Sequence, residues 1–212
     1  MYEACFPRKR NCFLSSIVTR GYLKCLKILT RIFLCFIFSI MGDLSWKDFL
    51  SQAKQFLEIS QKLGDNWILE QKDSNEPNTY LKCSQKIKCR GGKDNSAELV
   101  SVEYHVVFSV SYQVPMLFFQ AHRSDGSLLD VEATWRMFMP ESKASDLHQI
   151  LTQMDHPVLF RPFMALHPCR TAEVLKQFGK PSCNQVLTFI SLYGPHVQLH
   201  LQNAYGLSQE YT

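Results

Sequence analysis

The stretch SVEYHVVFSVSY, residues 101–112, alternates apolar and mostly polar side chains along its whole length. Successive side chains of a β-strand point to opposite faces, so a period of two separates a core face from a solvent face. The pattern therefore predicts an antiparallel strand with one face on a core. The predicted core-facing residues are Val102, Tyr104, Val106, Phe108, Val110 and Tyr112.

Further strand signals flank this segment on both sides. Upstream, residues 67–70 and 80–89 have strand character and are separated by the polar turn at 73–78. Downstream, residues 116–119 are apolar on both faces, as in a more central strand, and Asp125-Gly126 is a tight-turn signal. The middle of the chain is therefore predicted to be an antiparallel meander.

Segments with helical periodicity lie on both sides of the meander. Ser45 stands at an N-cap position with Asp48 three residues on, and Gly64 follows the apolar-periodic segment as its C-terminal stop. After the meander, helices are predicted at 130–138, 144–154, 171–178 and 185–192, with a proline-punctuated extended stretch ending at Cys169. This order predicts an α+β fold, an antiparallel sheet with flanking helices gathered on one side or end.

Composition and charge exclude several classes of protein. The chain has 212 residues, 46% hydrophobic and 20% charged, which is ordinary globular composition and excludes disordered, collagen-like and coiled-coil proteins. The net charge is +4, but seven basic residues and one acidic residue give residues 1–40 a charge of +6 and leave −2 for the rest. Because the basic excess lies in one tail, no nucleic-acid partner is predicted.

The first forty residues lack a convincing targeting signal. Their longest uncharged run, residues 32–42, has 11 residues, whereas a membrane-spanning helix needs about 20. Small residues at a possible signal cleavage site are limited to Ser39 and Gly42, and Trp46 breaks a myristoylation motif starting at Gly42. We predict that residues 1–40 are a basic, hydrophobic extension from an alternative start, and that residues 41–212 form one domain.

Cysteine usage indicates the cellular compartment. Of eight cysteines, Cys83, Cys89, Cys169 and Cys183 lie beyond the tail, and none has C-x-x-C spacing. Scattered thiols are typical of a reduced cytosolic protein, so a cytoplasmic location is predicted.

Few residues in the sequence suggest a metal or nucleotide site. Cys83 and Cys89 are interpreted as strand residues rather than zinc ligands, because no second pair matches them. His156, His196 and His200 are too dispersed to nominate a metal site. The chain contains no phosphate-binding glycine motif and no serine-hydrolase motif, and no cofactor is predicted.

His167-Pro168-Cys169 is the setting in which a thiol could act chemically. Pro168 fixes its own φ and biases His167 toward extended geometry, so Cys169 is presented from a stiff loop. The predicted helix start that follows favours thiolate over thiol. Cys169 is thus a candidate nucleophile, the alternative being a buried, inert thiol. His167 is a candidate general base or, alternatively, a loop residue that orients the backbone.

An ordered set of segments resembles the autophagy-related protein ten family of E2-like, ubiquitin-like-conjugating enzymes. The segments are residues 102–115, Asp125-Gly126, Trp135, Asp155-His156-Pro157, Pro162-Phe163, residues 166–171 and residues 191–195. The resemblance implies a modified ubiquitin-conjugating-enzyme fold in which Cys169 is the thioester nucleophile. Cys169 would accept the ubiquitin-like autophagy protein twelve from the E1-like autophagy protein seven and pass it to a lysine of autophagy protein five.

The same resemblance implies neither a metal nor a cofactor in the enzyme itself, and it adds modifiers of the autophagy protein eight family as a further partner. Such a reaction divides one difficult amide synthesis into two acyl transfers, each through an oxyanion intermediate. Ordinary ubiquitin-conjugating enzymes place His-Pro-Asn upstream of the cysteine. That triplet is absent here, so no oxyanion residue is assigned.

Three alternatives stay open. The lipid-conjugating sister enzyme, of the autophagy protein three type, shares the His-Pro-Cys triplet, but it carries a long acidic insertion that this sequence lacks. A cysteine hydrolase would need a base and an orienting partner from elsewhere in the chain. In a non-catalytic interaction module of E2 fold, Cys169 would only pack.

Overall fold

The computed structural model of the chain describes residues 44–74, 76–90, 97–138, 151–168 and 184–207, together with residues 171 and 175. All of them belong to one unit, Asp43–Thr212. The helices, numbered within these residues, are α1 (Trp46–Leu63), α2 (Val131–Phe138), α3 (Gln185–Tyr193) and α4 (Ala204–Leu207). The strands are β1 (Ile68–Gln71), β2 (Thr79–Arg90), β3 (Ala97–Ser109), β4 (Val114–His122), β5 (Leu151–Asp155) and β6 (Pro162–Leu166). Short 3-10 turns lie at Glu76–Asn78 and Gly194–Val197.

The six described strands form one sheet in the order β1-β2-β3-β4-β6-β5, and each neighbouring pair is antiparallel. The first four strands follow chain order, which confirms the predicted meander. After β4 the chain passes through α2 to the far edge, forms β5 there, and returns as β6 between β5 and β4. The predicted α+β class, an antiparallel sheet with flanking helices, is confirmed.

Local signals define α1 as predicted. The Ser45 hydroxyl accepts a hydrogen bond from the Asp48 backbone N–H at 3.2 Å, and Gly64 ends the helix with φ 72°. The buried face of α1 consists of Phe49, Ala53, Phe56 and Ser60, spaced at helical periodicity. This face packs on the main core of the molecule, which lies between α1, α3 and one face of the sheet.

The prediction for residues 101–112 is partly wrong. β3 ends at Ser109, and the residues that follow turn into β4 through Gln113, whose φ is 52°. Val110, predicted to face the core, is 76% exposed. From Tyr104 to Phe108 both faces of the strand are buried, so no solvent face exists there.

A second core explains this double burial. It lies on the opposite face of the sheet from the main core and draws on four strands and the loop between β5 and β6. Its buried members are Tyr80, Val107, Met116, Phe118, Val158, Phe163 and Ala165. Because Val158 and Phe163 come from more than 50 residues further along the chain, the local pattern of β3 does not reveal that its second face is covered.

The helix predicted at 144–154 is contradicted where the structure describes it. Residues 151–154 belong to β5, and every residue of β5 pairs with β6 from Leu151↔Leu166 to Asp155↔Pro162. Residues 144–150 lie outside the described residues. The backbone pairing with β6 outweighs the helical spacing of apolar side chains in this segment.

The other predicted helices have different outcomes. Those at 130–138 and 185–192 are present as α2 and α3. Thr171 and Leu175 are helical, whereas the rest of 171–178 lies outside the described residues. The predicted extension, residues 1–40, and its boundary at 41 also lie outside them and stay predictions. Among the residues described, no helix has the length and hydropathy needed to cross a membrane.

Candidate active site

Strand β6 leads directly to the predicted nucleophile. Ala165 and Leu166 are buried, His167 is half-buried, and Pro168 is buried and begins a helical turn. Cys169 itself lies outside the described residues. In the chain it follows Pro168 directly, three residues after Leu166, the last residue of β6.

The described residue after Cys169 is also anchored. Thr171 is buried and helical, and so is Leu175, four residues further on. Leu166 and Leu175 both belong to the main core. The described chain is therefore buried shortly before position 169, at Leu166 and Pro168, and shortly after it, at Thr171.

The register of the sheet shows which elements lie at this end. β4 and β6 pair antiparallel through Phe118↔Ala165 and Phe119↔Met164, so the beginning of β4 lies beside the end of β6. The β3–β4 turn, which contains exposed Val110, therefore lies at the same end of the sheet as Leu166, the last residue of β6. The backbone N–H of Leu44 donates to the Gln113 carbonyl at 3.3 Å, which brings the start of α1 to this end too.

Helix α2 supports the strand beside β6. The indole Nε1 of Trp135 donates to the Leu151 carbonyl at 3.0 Å, and Leu151 pairs with Leu166 three residues before Cys169. Trp135 is one of the residues on which the family resemblance was based. Its hydrogen bond assigns it a positioning role for β5 and, through strand pairing, for the end of β6.

A group of polar side chains lies near the second core; we call it the polar cluster. It consists of Glu70, Tyr80, Lys82, Glu103, His105 and His156. The Tyr80 hydroxyl donates to Glu70 at 2.7 Å. The Lys82 ammonium lies 3.3 Å from a Glu70 oxygen and 3.1 Å from a Glu103 oxygen. The cluster links β1, β2 and β3 to the loop that precedes β6.

The ionisation of this cluster follows from its contacts. The hydrogen bond from Tyr80 lowers the pKa of Glu70, while burial and the same carboxylate raise the pKa of Tyr80. Burial alone would lower the pKa of Lys82, but Glu103 and Glu70 raise it on balance. Glu70 is therefore ionised at neutral pH, Lys82 is charged, and Tyr80 is a neutral donor.

His105 and His156 form a buried pair in the polar cluster. Nδ1 of His105 lies 3.1 Å from Nε2 of His156. The backbone N–H groups of Val158 and Leu159 both donate to His156 Nδ1, at 3.2 and 3.1 Å. Since that nitrogen accepts, the proton of neutral His156 is assigned to Nε2 and is donated to His105.

The remaining nitrogen of His105 faces a carboxylate. Nε2 of His105 lies 3.0 Å from a Glu103 carboxylate oxygen, which favours the protonated form of the ring. Burial lowers the pKa of both histidines, and Glu103 offsets part of this for His105. Sequence reasoning missed the pair because His105 was expected to face solvent and His156 lies 51 residues away.

The two described cysteine positions fit their predicted structural role. Cys83 and Cys89 both lie in strand β2, as predicted. The Cys83 thiol is 3.1 Å from the Asn66 side-chain oxygen, and burial raises the pKa of Cys83 to about 12. Among the residues that the structure describes, no group of three or more His, Cys, Asp or Glu could hold a metal ion. Cys183 lies outside them.

The α+β fold and the His-Pro-Cys triplet directly after β6 match the predicted class of protein, an E2-like conjugating transferase. Comparison with known proteins then gives the family. The model of the family described as "Autophagocytosis associated protein, active-site domain" matches residues 41–204. The chain belongs to this family, and the predicted resemblance and enzyme class are confirmed.

Curated relatives carry one common name, ubiquitin-like-conjugating enzyme ATG10. The chain is 29% identical over 202 residues to the Homo sapiens protein, covering 76% of this chain and 91% of the relative. It is 34% identical over 84 residues to the Arabidopsis thaliana protein, covering 38% of this chain and 37% of the relative. It is 32% identical over 83 residues to the Dictyostelium discoideum protein, an alignment that covers 37% of this chain and 36% of the relative.

Proposed function

We propose that this chain accepts the ubiquitin-like autophagy protein twelve as a thioester on Cys169 and conjugates it to a lysine of autophagy protein five. The modifier would be delivered by the E1-like autophagy protein seven, in the cytosol, in support of autophagosome formation. The observation that carries the proposal is that the His-Pro-Cys triplet directly follows β6 in the chain and that the described residues Leu166, Pro168 and Thr171 are buried. The family match across this segment supports it.

The first step is a transthiolation. The Cys169 thiolate attacks the carbonyl carbon that is bound to the activating enzyme's cysteine, a new C–S bond forms, and the activating enzyme's thiolate leaves. The helical state of Thr171 and Leu175 supports the predicted helix start immediately after Cys169. The positive end of that helix dipole would stabilise the Cys169 thiolate.

The second step is aminolysis. The neutral amine of the acceptor lysine attacks the thioester carbonyl, an amide bond forms, and the Cys169 thiolate leaves while the amine loses a proton. Both steps pass through a tetrahedral oxyanion, which requires hydrogen-bond donors in fixed positions. Anchoring the backbone on both sides of Cys169 would fix the thioester against such donors and so reduce the entropic cost of each transfer.

The experiment mixes the chain with the activating enzyme, ATP and the modifier, and resolves the products on a non-reducing gel. Wild type should give an adduct that thiol reductants cleave, and Cys169→Ser should give none or a reductant-stable ester. Cys83→Ser is the matched control, because its thiol is buried in β2, and it should behave as wild type. No adduct with wild type would overturn the proposal and favour a non-catalytic module.

A chase separates the remaining alternatives. Addition of the acceptor protein to the isolated thioester should give a reductant-stable conjugate faster than free modifier appears. Release of the modifier to water without conjugate would indicate a cysteine hydrolase. Charging in parallel with a modifier of the autophagy protein eight family, followed by transfer to a lipid amine, would indicate the lipid-conjugating sister activity.

A further inference from the structure

Strand β6, from which the chain continues to Cys169, is paired on both sides along only part of its length. Within the described residues, its ladder with β4 stops at Ala165. Its ladder with β5 continues one residue further, to the pair Leu151↔Leu166. Of the described strands, β5 is therefore the one that holds Leu166, the last residue of β6, in the sheet.

Strand β5 is itself the last strand of the described sheet, so its position depends on support from outside the ladder. Helix α2 gives such support, because the indole Nε1 of Trp135 donates to the Leu151 carbonyl at 3.0 Å. Leu151 has no exposed surface, and a hydrogen bond shielded from water is electrostatically stronger than an exposed one. The indole thus holds the strand pair that ends β6.

Helix α2 is a fixed platform for this indole. The Asp130 carboxylate accepts from the Ala133 N–H at 2.7 Å, and the Thr134 hydroxyl donates to the Asp130 carbonyl at 2.8 Å. At the other end of the helix, the Phe138 ring lies 5.0 Å from the Phe119 ring of β4, between centroids. A group carried on a packed helix positions its partner more precisely than a group on a loop does.

The opposite end of β6 carries a hydrogen bond of the same kind. Gln120 Nε2 donates to the carbonyl of Pro162, the first residue of β6, at 3.0 Å. Pro162 lies four residues before Leu166, which is about 13 Å along a strand at 3.3 Å per residue. The two bonds both join a side-chain N–H to a backbone carbonyl, and they differ in which end of β6 they support.

We propose that Trp135 is a positioning residue for the proposed conjugation reaction. Through the Leu151 carbonyl it supports Leu166, and so it sets the end of β6 from which the chain continues to the reacting thiol. The inference rests on the proposed function, because it concerns the thioester on Cys169. A displaced thioester carbonyl reacts more slowly with the acceptor amine and is aligned less well with oxyanion donors. Loss of the indole hydrogen bond should therefore lower kcat and leave the KM for the acceptor unchanged.

The test charges the full chain with the modifier, isolates the thioester, and follows its transfer to increasing concentrations of the acceptor protein. Trp135→Phe keeps an aromatic ring but removes the N–H. It should slow transfer at saturating acceptor about tenfold and leave the half-saturating concentration unchanged. Gln120→Leu is the matched control, because it removes one hydrogen bond from the far end of β6, and it should keep the wild-type rate. Each variant should lower the Tm by about 2–4 °C, so a difference in rate between them does not follow from stability.

Nuclear magnetic resonance measures the positioning without the reaction. In spectra of the isotope-labelled chain, the backbone amide signals of Leu166 and His167 should shift in Trp135→Phe and keep their wild-type positions in Gln120→Leu. The amide signal of Phe163, at the far end of β6, should show the reverse.

Equal slowing of transfer by the two variants would overturn the inference, because the effect would then follow lost stability rather than the location of the bond. A raised half-saturating concentration with an unchanged rate would also overturn it, and would place Trp135 in acceptor binding. A wild-type thioester with wild-type transfer in Trp135→Phe removes the positioning role and leaves the proposed function standing. Absence of a wild-type thioester overturns the proposed function and this inference with it, even where the amide signals shift.

Discussion

His105 Nδ1 and His156 Nε2 lie 3.1 Å apart, and neither ring has any exposed surface. The contact joins β3 to the loop that precedes β6, the strand that ends three residues before Cys169 in the chain. The charges that face the pair are Glu103 on β3, Lys82 on β2, Glu70 on β1, and Lys72 and Arg161 in loops. Burial outweighs the attraction of the carboxylates, so both rings are neutral in the folded protein at pH 7.

The first prediction is a loss of stability in mild acid. The folded-state pKa of each histidine is lowered by burial, so the unfolded chain binds more protons once the pH falls below about 6.5. The histidine pair should not change the free energy of unfolding above that pH. Below it, the free energy of unfolding should decrease by up to about 1.4 kcal/mol per pH unit for each neutral ring. Urea unfolding at pH 7.5, 6.0 and 5.0 measures this slope.

A matched pair of variants tests whether the histidine pair causes this dependence of the free energy of unfolding on pH. His156→Asn keeps a side-chain oxygen that can accept from the Val158 N–H but does not titrate, so it should flatten the dependence on pH. His200→Asn, at an exposed position, should leave the slope as in wild type. An unchanged slope in His156→Asn would contradict the assignment.

Features fixed by neighbours in the chain were predictable from the sequence. Ser45, Asp48 and Gly64 define α1 through hydrogen bonds within one helix, and the alternation around Tyr104 identifies β3. The same alternation misplaced His105, because the covering residues Val158 and Phe163 are distant in sequence.

Strand pairing across the sheet also determined secondary structure that the local spacing of side chains did not predict. Residues 151–154 have helical spacing, but the backbone groups of β5 pair with β6, from Leu151↔Leu166 onward. Cys169 was nominated from the Pro168 constraint and from the family resemblance. The register that puts the β3–β4 turn at the same end of the sheet is a tertiary fact with no sequence signal.

The second prediction concerns the buried thiol of Cys83. Burial raises its pKa to about 12, so almost no thiolate exists at pH 8, and only thiolate reacts rapidly with alkylating reagents. Cys83 should resist iodoacetamide in the folded protein and react once urea unfolds the chain. Peptide mass mapping after a short labelling pulse measures this, and rapid labelling of folded protein at Cys83 would contradict it.

The third prediction tests the junction between α1 and α3 at Asn184. Its Oδ1 caps α3 by accepting from the Leu187 N–H at 2.9 Å, and its Nδ2 donates to the Gln52 carbonyl at 2.8 Å. Asn184→Ala removes both bonds at a buried position and should lower the free energy of unfolding by about 1–3 kcal/mol. Asn184→Ser keeps an N-cap acceptor but cannot reach Gln52, so urea unfolding should place it between alanine and wild type. Equal losses for both variants would assign the whole effect to the bonds that Nδ2 donates to the Gln52 carbonyl and, at 3.4 Å, to Gln55 Oε1.

The fourth prediction compares two glycines that differ in the space around them. A Cβ at Gly194 would lie 2.5 Å from the Leu199 carbonyl oxygen, whereas a Cβ at Gly206 would meet nothing within 4 Å. Gly194 has an ordinary helical φ of −54°, so any penalty for alanine there is steric. Leu199 is buried, and its N–H donates to the Gly194 carbonyl at 2.9 Å, so the obstructing backbone cannot move away without losing that bond.

Gly194→Ala should therefore lower the free energy of unfolding by about 1–3 kcal/mol, as overpacking of a rigid interior does. Gly206→Ala lies in helix α4, where alanine is the better helix former, and should be neutral or stabilising by up to about 1 kcal/mol. Urea unfolding of both variants at pH 7.5, where the histidine pair does not contribute a slope, isolates the steric effect. Similar free energies of unfolding for the two variants would contradict this prediction. They would show that the backbone at Leu199 shifts to make room for the added methyl group.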